Sequence, residues 1–301
     1  MLKSAITAGL MLSGILTAAQ TVHPPTPAWP FAVAQAAKLA PDARVIVLDA
    51  ATGDLLASNH LAEAARTLTT PGSTLKPLLL YNLVAAGRWD PQRRIACTRT
   101  LRIEGHSLNC SHPRGDPFDA RQALTWSCNT YFAAVAASLA PGELRRLLAP
   151  TGLLSTTRLV AGGEARAELR DPRTADENRL AFLGVDGIRV TPLELTVAYR
   201  WLAVQLAAHP DSTAAQVVRD GLTDSASFGM AGAAALGGVS IAGKTGTASA
   251  ETGGQTHGWF VGMAPANKPS IVVAVYLSAG HGADAARVAA ELLAHSPLRQ
   301  P

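Results

Sequence analysis

Four short stretches of the sequence carry side chains that could do chemistry together: Ser73-Thr-Leu-Lys76, Ser107-Leu-Asn109, Ser127-Cys-Asn129 and Lys244-Thr-Gly246. A serine hydroxyl is a poor nucleophile until a base takes its proton. Residues three apart on a helix are neighbours, so the Lys76 amine can reach the Ser73 hydroxyl. Burial beside a second cation lowers a lysine pKa toward the range where the amine is a usable base. Lys244 supplies that cation if the two stretches meet. Setting Ser73 at the start of its helix also presents backbone N–H groups where an oxyanion would form. The plainer alternative is a capping serine beside an exposed lysine, but the chain contains no second S-x-x-K pattern.

Lys244-Thr245 also completes G-x-x-x-x-G-K-[ST] over Gly238–Thr245, the pattern of a nucleotide-binding P-loop. A P-loop needs a strand before its glycines and a helix after its Lys-Thr, whose N-terminus receives the phosphates. Here AGAAAL precedes the glycines without a β-branched run, and Gly253-Gly254 makes a poor helix opening afterwards. Val239-Ser-Ile241 prefers an extended strand. On a strand Lys244 and Gly246 share one face, and Thr245 and Thr247 the other. A glycine there lets a ligand approach the backbone closely. No nucleotide is expected.

Of the two Ser-x-Asn pairs, Ser107 and Asn109 lie in a polar, irregular stretch. Ser127 and Asn129 interrupt two apolar helical runs in TWSCNTYF. Catalytic geometry needs a rigid, buried setting, which favours Ser127 and Asn129.

The elements that must position these residues can be read coarsely. RVIVLD (44–49) and LLASNH (55–60) make a hairpin around Ala-Thr-Gly-Asp. A helix begins near Pro71-Gly72-Ser73 and ends at Gly87. Further helices follow in DARQALTWS, NTYFAAVAASLA and GELRRLLA. Thr191-Pro-Leu-Glu194 combines a capping Thr, Pro at the first helical position and Glu three residues after the cap. The stripe Leu193, Val197, Trp201 and Val204 is the expected core face of that helix. Strands are expected at 239–247, 257–263 and 270–278, then a helix at 283–295. Both chain ends thus build one sheet, with a mostly helical block between.

The chain has 301 residues, 48% hydrophobic and 16% charged, enough for a sizeable core. A net charge of +4 without runs of like charge leaves no footprint for nucleic acid. MLKSAITAGLMLSGILTAAQ (1–20) reads as a secretory signal with a small-residue cleavage site; an uncleaved anchor, tying the N-terminus to a membrane, is the alternative. HPPTPAWP begins a Pro-rich linker and lead-in over 21–40, and one domain is expected over 41–296. Export permits a Cys97–Cys110 disulfide stapling the polar excursion between them. A metal site from these cysteines with His106 and His112 lacks a C-x-x-C pair, and no metal or other cofactor is expected. Cys128 sits in an apolar helical context and reads as a buried thiol.

The order S-x-x-K, S-x-N, K-T-G resembles that of penicillin-binding proteins and serine β-lactamases. The runs DAATGDLLA, TPGSTLKPLLL, SCNTYF, VTPLELTVAYRWLA, AGKTGTA and HGWFVGMAP resemble successive segments of a penicillin-binding transpeptidase domain. The resemblance implies an α+β fold: a five-stranded antiparallel sheet flanked by helices, a mostly helical subdomain, and a cleft between them. It implies that Ser73 is acylated, with Lys76 as its general base. Ser127 would relay protons to the leaving group, beside Asn129, with Lys244 supporting both. Thr245 and Thr247, flanking Gly246, would hold the substrate carboxylate. The backbone N–H groups of Ser73 and Thr247 would form the oxyanion hole. The implied partners are peptidoglycan stem peptides ending in D-Ala-D-Ala, with β-lactams as covalent inhibitors. The implied location is the periplasm or the outer face of the cytoplasmic membrane. No glycosyltransferase region or pedestal domain fits before residue 41, so a stand-alone transpeptidase domain is expected.

Two rivals share the motifs. A class A β-lactamase carries E-x-x-L-N after its S-x-N, but Glu143 heads E-L-R-R-L-L and Glu164 heads E-A-R-A-E. Class D enzymes normally place an apolar residue where Asn129 stands. A non-turnover β-lactam or muropeptide sensor is normally tethered to transmembrane helices and a signalling domain. D,D-carboxypeptidases share every motif with D,D-transpeptidases.

Overall fold

Residues 28–115, 117–249 and 255–299 are described by a computed structural model. The signal or anchor segment expected at the N-terminus lies outside them. Trp29–Leu39 forms helix α1, which buries Ala32, Val33 and Ala36. Over these residues the lead-in is packed on the body.

Strands β1 (Arg44–Asp49) and β2 (Leu55–Asn59) form the expected hairpin. The last third supplies β3 (Ala242–Ser249), β4 (Thr256–Ala264) and β5 (Ile271–Leu277). They pair antiparallel in the order β2-β1-β5-β4-β3, so the two chain ends do share one sheet. The sheet is buried on both faces, which explains why its strands read as continuous apolar runs. On one face Val273, Val275 and Phe260 pack against α1 and α9 (Gly282–Ala294). On the other, Trp259, Val261, Val272 and Ala274 meet the helical block. β3 is an edge strand, and its free backbone edge borders the site.

That block contains α2 (Lys76–Ala85), α3 (Ala120–Thr125), α4 (Asn129–Ala136), α5 (Glu143–Leu148), α6 (Ala175–Phe182), α7 (Pro192–Ala208) and α8 (Thr213–Ser227). The start of α7 is as expected. Thr191 Oγ accepts the Glu194 N–H at 3.1 Å, and the Glu194 carboxylate accepts the Thr191 and Ala167 N–H groups at 2.9 and 2.7 Å. Burial raises the Glu194 pKa despite these bonds.

The expected stripe of α7 holds at Leu193, which is buried, and in part at Val197 and Trp201, which pack half-buried against the core. Val204, however, is 38% exposed, and Leu195, Ala198, Tyr199, Leu202 and Leu206 are buried as well. Apolar residues occur all around this helix, because both the sheet and the block pack on it, so periodicity selects no single face. Leu202→Ala is expected to cost about 3 kcal/mol and Val204→Ala less than about 0.5 kcal/mol. Denaturant midpoints of the two variants check this.

Candidate active site

The turn that carries Ser73 is a 3₁₀ segment, Gly72–Leu75, leading directly into α2. Three neighbours fix it. The Tyr199 hydroxyl of α7 donates to Thr74 O at 2.8 Å, and the Trp259 indole of β4 donates to Thr70 O at 3.0 Å. The Gly72 N–H donates to Gly184 O at 2.9 Å. Gly72 (φ +55°) and Gly184 (φ +69°) occupy the left-handed region, where glycine carries no steric penalty. His257, buried in β4, also sets its Nε2 2.8 Å from Thr70 O. His257 and Trp259 are positioning residues absent from the motif reading, although HGWFVGMAP contains both.

Ser127 sits where α3 has ended and α4 has not begun. Its φ of +54° is uncommon for serine and marks a backbone held by its surroundings. Lys76 Nζ donates to Ser127 O at 2.9 Å, Ser127 Oγ at 3.2 Å and Asn129 Oδ1 at 2.6 Å. From the sheet side, Lys244 Nζ donates to the same Ser127 Oγ at 2.8 Å and to Thr245 O at 2.9 Å. Asn129 Nδ2 donates in turn to Leu108 O at 3.0 Å. Both lysines are fully buried and converge on one hydroxyl.

Burial lowers the Lys76 pKa to about 8. Burial and the neighbouring Lys76 charge push Lys244 well below the ordinary lysine value. A dry site disfavours two ammonium groups together, so the pair is poised to give up a proton. The Lys76 hydrogen bonds reach Ser127 and Asn129 and do not include Ser73 Oγ. Catalytic contacts of that kind commonly tighten only when substrate arrives.

A cleft of about 190 Å³ is lined by Ser73, Ser127, Asn129, Trp126, Thr245 and Thr247, among others. The seven residues singled out from the three motifs, with Thr247 beside them, thus converge on one place. Asn109, from the weaker Ser-x-Asn pair, also lines the cleft, and Ser107 borders its extension. Thr245 Oγ donates to Met230 O at 3.3 Å. Thr247 Oγ accepts the Gly282 N–H at 2.9 Å, which leaves its own proton to be donated. A Cβ on Gly72 would lie 3.2 Å from Thr247 O and 3.5 Å from Thr247 N, so the free edge of β3 faces the Ser73 turn.

Gly246 has a further use. A Cβ there would lie 2.8 Å from Pro71 O and 3.1 Å from Thr74 Cγ2, so the glycine admits the nucleophile turn. Lys244-Thr245 lies mid-strand, paired with Val261 and Phe260, and among the described residues the next element is β4 and not a helix. That is not the strand–loop–helix setting a P-loop needs.

The Cys97–Cys110 disulfide is not formed, and all three cysteines are free thiols. Cys110 Sγ lies 3.9 Å from Cys128 Sγ, while Cys97 Sγ faces His112 Nε2 at 3.5 Å. The excursion folds back on the Ser127–Asn129 loop, which adds Cys128 and His112 to Cys97 and Cys110 in one close group. His106 is not part of this group; His112 is.

Residues 43–296 match the family described as the penicillin-binding protein transpeptidase domain. A probable peptidoglycan D,D-transpeptidase PenA of Neisseria flavescens is 27% identical over 275 residues, covering 77% of this chain and 67% of that one. Among solved structures, the transpeptidase domain of Burkholderia pseudomallei penicillin-binding protein 3 superposes with a TM-score of 0.79 at 22% identity. That match covers 89% of this chain and 92% of the other. The D,D-transpeptidase domain of an Eggerthella lenta peptidoglycan glycosyltransferase gives 0.74 at 21% identity, covering 88% and 80%. The five-stranded sheet, its helical block and the family match over most of the length agree: the chain belongs to the penicillin-binding protein transpeptidase family, whose chemistry is that of a serine transpeptidase.

Proposed function

We propose that the protein is an exported D,D-transpeptidase that acts on peptidoglycan stem peptides ending in D-Ala-D-Ala and is acylated by penicillins at Ser73. The observation that carries this reading is the buried network joining Lys76, Ser127, Asn129 and Lys244 beside the Ser73 turn. Ser73 Oγ attacks the penultimate D-Ala carbonyl while its proton passes to neutral Lys76. The resulting oxyanion accepts from the Ser73 and Thr247 N–H groups. Ser127, bridged to both lysines, delivers a proton to the departing D-Ala nitrogen. The substrate carboxylate accepts from Thr245 and Thr247, and an acceptor amine then takes the acyl group from Ser73. Water as acceptor would make the same site a D,D-carboxypeptidase.

Among the described residues, those lining the cleft include no Asp or Glu. Glu164, weighed above against the β-lactamase pattern, is occupied by the Thr157, Arg158 and Val160 N–H groups. No described residue there supplies the carboxylate-activated water of a class A β-lactamase, and the ring-opened leaving group stays attached and hinders water. The acyl-enzyme should persist for many minutes. The test is to label with fluorescent penicillin, map the labelled peptide and follow its decay after dilution. Long-lived label on Ser73 supports the proposal, and rapid loss with product release would return the β-lactamase reading. Release of D-Ala from a pentapeptide, or its exchange for another D-amino acid, separates the enzyme from a sensor. No release and no exchange would defeat the proposal.

A further inference from the structure

Three thiols and one imidazole outside the serine chemistry converge on a single point. The ligand atoms of Cys97, Cys110, His112 and Cys128 all lie within 4.8 Å of one another. Cys110, His112 and Cys128 are buried, and Cys97 is partly so. Tetrahedral zinc has Zn–S of about 2.3 Å and Zn–N of about 2.0–2.1 Å, which sets two sulfurs about 3.8 Å apart and sulfur and nitrogen about 3.5 Å apart. The Cys110–Cys128 separation is 3.9 Å and the Cys97–His112 separation 3.5 Å. A disulfide would need about 2.05 Å.

The surroundings suit deprotonated ligands. The Asn129 N–H donates to Cys110 Sγ at 3.2 Å and the Arg99 N–H to Cys97 Sγ at 3.4 Å. His112 Nδ1 lies 2.7 Å from Pro113 O. With the proton on Nδ1 donated to that carbonyl, the Nε2 lone pair faces the thiols, as the outer partner of a ligating histidine commonly arranges.

We propose that Cys97, Cys110, His112 and Cys128 hold one structural zinc(II) ion, and that this ion fixes the backbone around Ser127 and Asn129. Soft thiolates with one imidazole in a tetrahedral set select zinc over magnesium or calcium. Thiol protons leave to solvent as the thiolates bind the metal. The consequence for the site follows from the chain itself. Cys128 lies between Ser127 and Asn129, the two residues that Lys76 holds. Cys97, Cys110 and His112 belong to the excursion, where regular structure is confined to a two-residue ladder, Arg102–Ile103 with His106–Ser107. The ion ties that excursion to the left-handed turn at Ser127 and holds Leu108 O where Asn129 Nδ2 reaches it.

The part concerning Ser127 and Asn129 is read through penicillin acylation and so rests on the function proposed above. The metal itself is read without it. The full chain, purified from its own compartment without chelator, is expected to carry about one zinc per molecule. Cobalt(II) exchanged into it should give the intense visible bands of tetrahedral thiolate coordination. Cys97→Ser should weaken metal binding at least about tenfold, and Cys97→His, which keeps a ligand, should retain more of it. Stripping the wild type with a chelator should slow Ser73 acylation at least about tenfold, with recovery on adding zinc.

Protein without zinc that gives no thiolate–cobalt bands would overturn the proposal. A disulfide among these cysteines in non-reduced peptide maps would do the same. Bound zinc whose removal leaves acylation unchanged would overturn the positioning half alone. A wild type that carries zinc but is never acylated would instead defeat the proposed function and leave the metal site standing.

Discussion

Ser73→Ala is expected to take up no fluorescent penicillin, and Lys76→Met to be acylated about a thousandfold more slowly than wild type. The first variant removes the attacking oxygen. The second keeps much of the buried side-chain volume but removes the base, and general-base catalysis contributes about 10²–10⁴ in rate. Lys76 also spends its ammonium group on Ser127 and Asn129, so its loss leaves those acceptors without their buried donor. Circular dichroism and thermal melts of both variants must therefore stay native-like for the rates to be read as chemistry. The pH profile gives an independent check. Burial lowers the Lys76 pKa to about 8, and only the neutral amine accepts the serine proton. Acylation should rise with pH, level off above about 8, and fall about tenfold per unit below it. A flat profile between pH 6 and 9 would mean that Lys76 is not the base.

Much of the site was legible because its chemistry depends on short local patterns. S-x-x-K on a helix, a polar pair between two apolar helices and K-T-G on a strand each carry their own geometry. The structure brings all three together. The capping signals at Thr191 and Glu194 were equally local and correctly read. The missed features are those in which a residue's partner is distant in the chain. Gly246 is small because Pro71 and Thr74 press on it, and nothing near Gly246 in sequence announces them. Cys97 and Cys110 looked like a pair because they flank one loop, but the returning partner, Cys128, arrives with the Ser127 turn. The buried face of α7 could not be chosen while its neighbours on both sides were unknown. Helix α6 is a different case. Thr174 and Glu177 form a capping box that a closer look at Thr-Ala-Asp-Glu would have found.

The two sides of the cleft meet at Gly246, and the second large effect is expected there. Gly246→Ala should slow acylation by penicillin about a hundredfold while leaving the protein folded. Its backbone is not in the left-handed region, so the added methyl acts only through contact. That methyl would sit 2.8 Å from Pro71 O, closer than real Cβ atoms come to backbone. Neither side yields easily. β3 is held by its full pairing with β4, and by Gly282, where a Cβ would already lie 2.8 Å from Gly246 O. Pro71 O accepts the Thr74 hydroxyl at 2.7 Å inside the turn that carries Ser73. The strain is relieved by separating turn from strand by several tenths of an ångström, which spreads the Ser73 and Thr247 N–H groups. Losing one oxyanion donor outright costs about 10²–10³ in rate, so displacing the pair should cost a comparable factor. Gly237→Ala is the control, because a Cβ there meets nothing within 4 Å. Stopped-flow acylation of the two variants, with thermal melts alongside, makes the comparison. A Gly246→Ala protein acylated at the wild-type rate would show that the spacing between turn and strand does not set the oxyanion site.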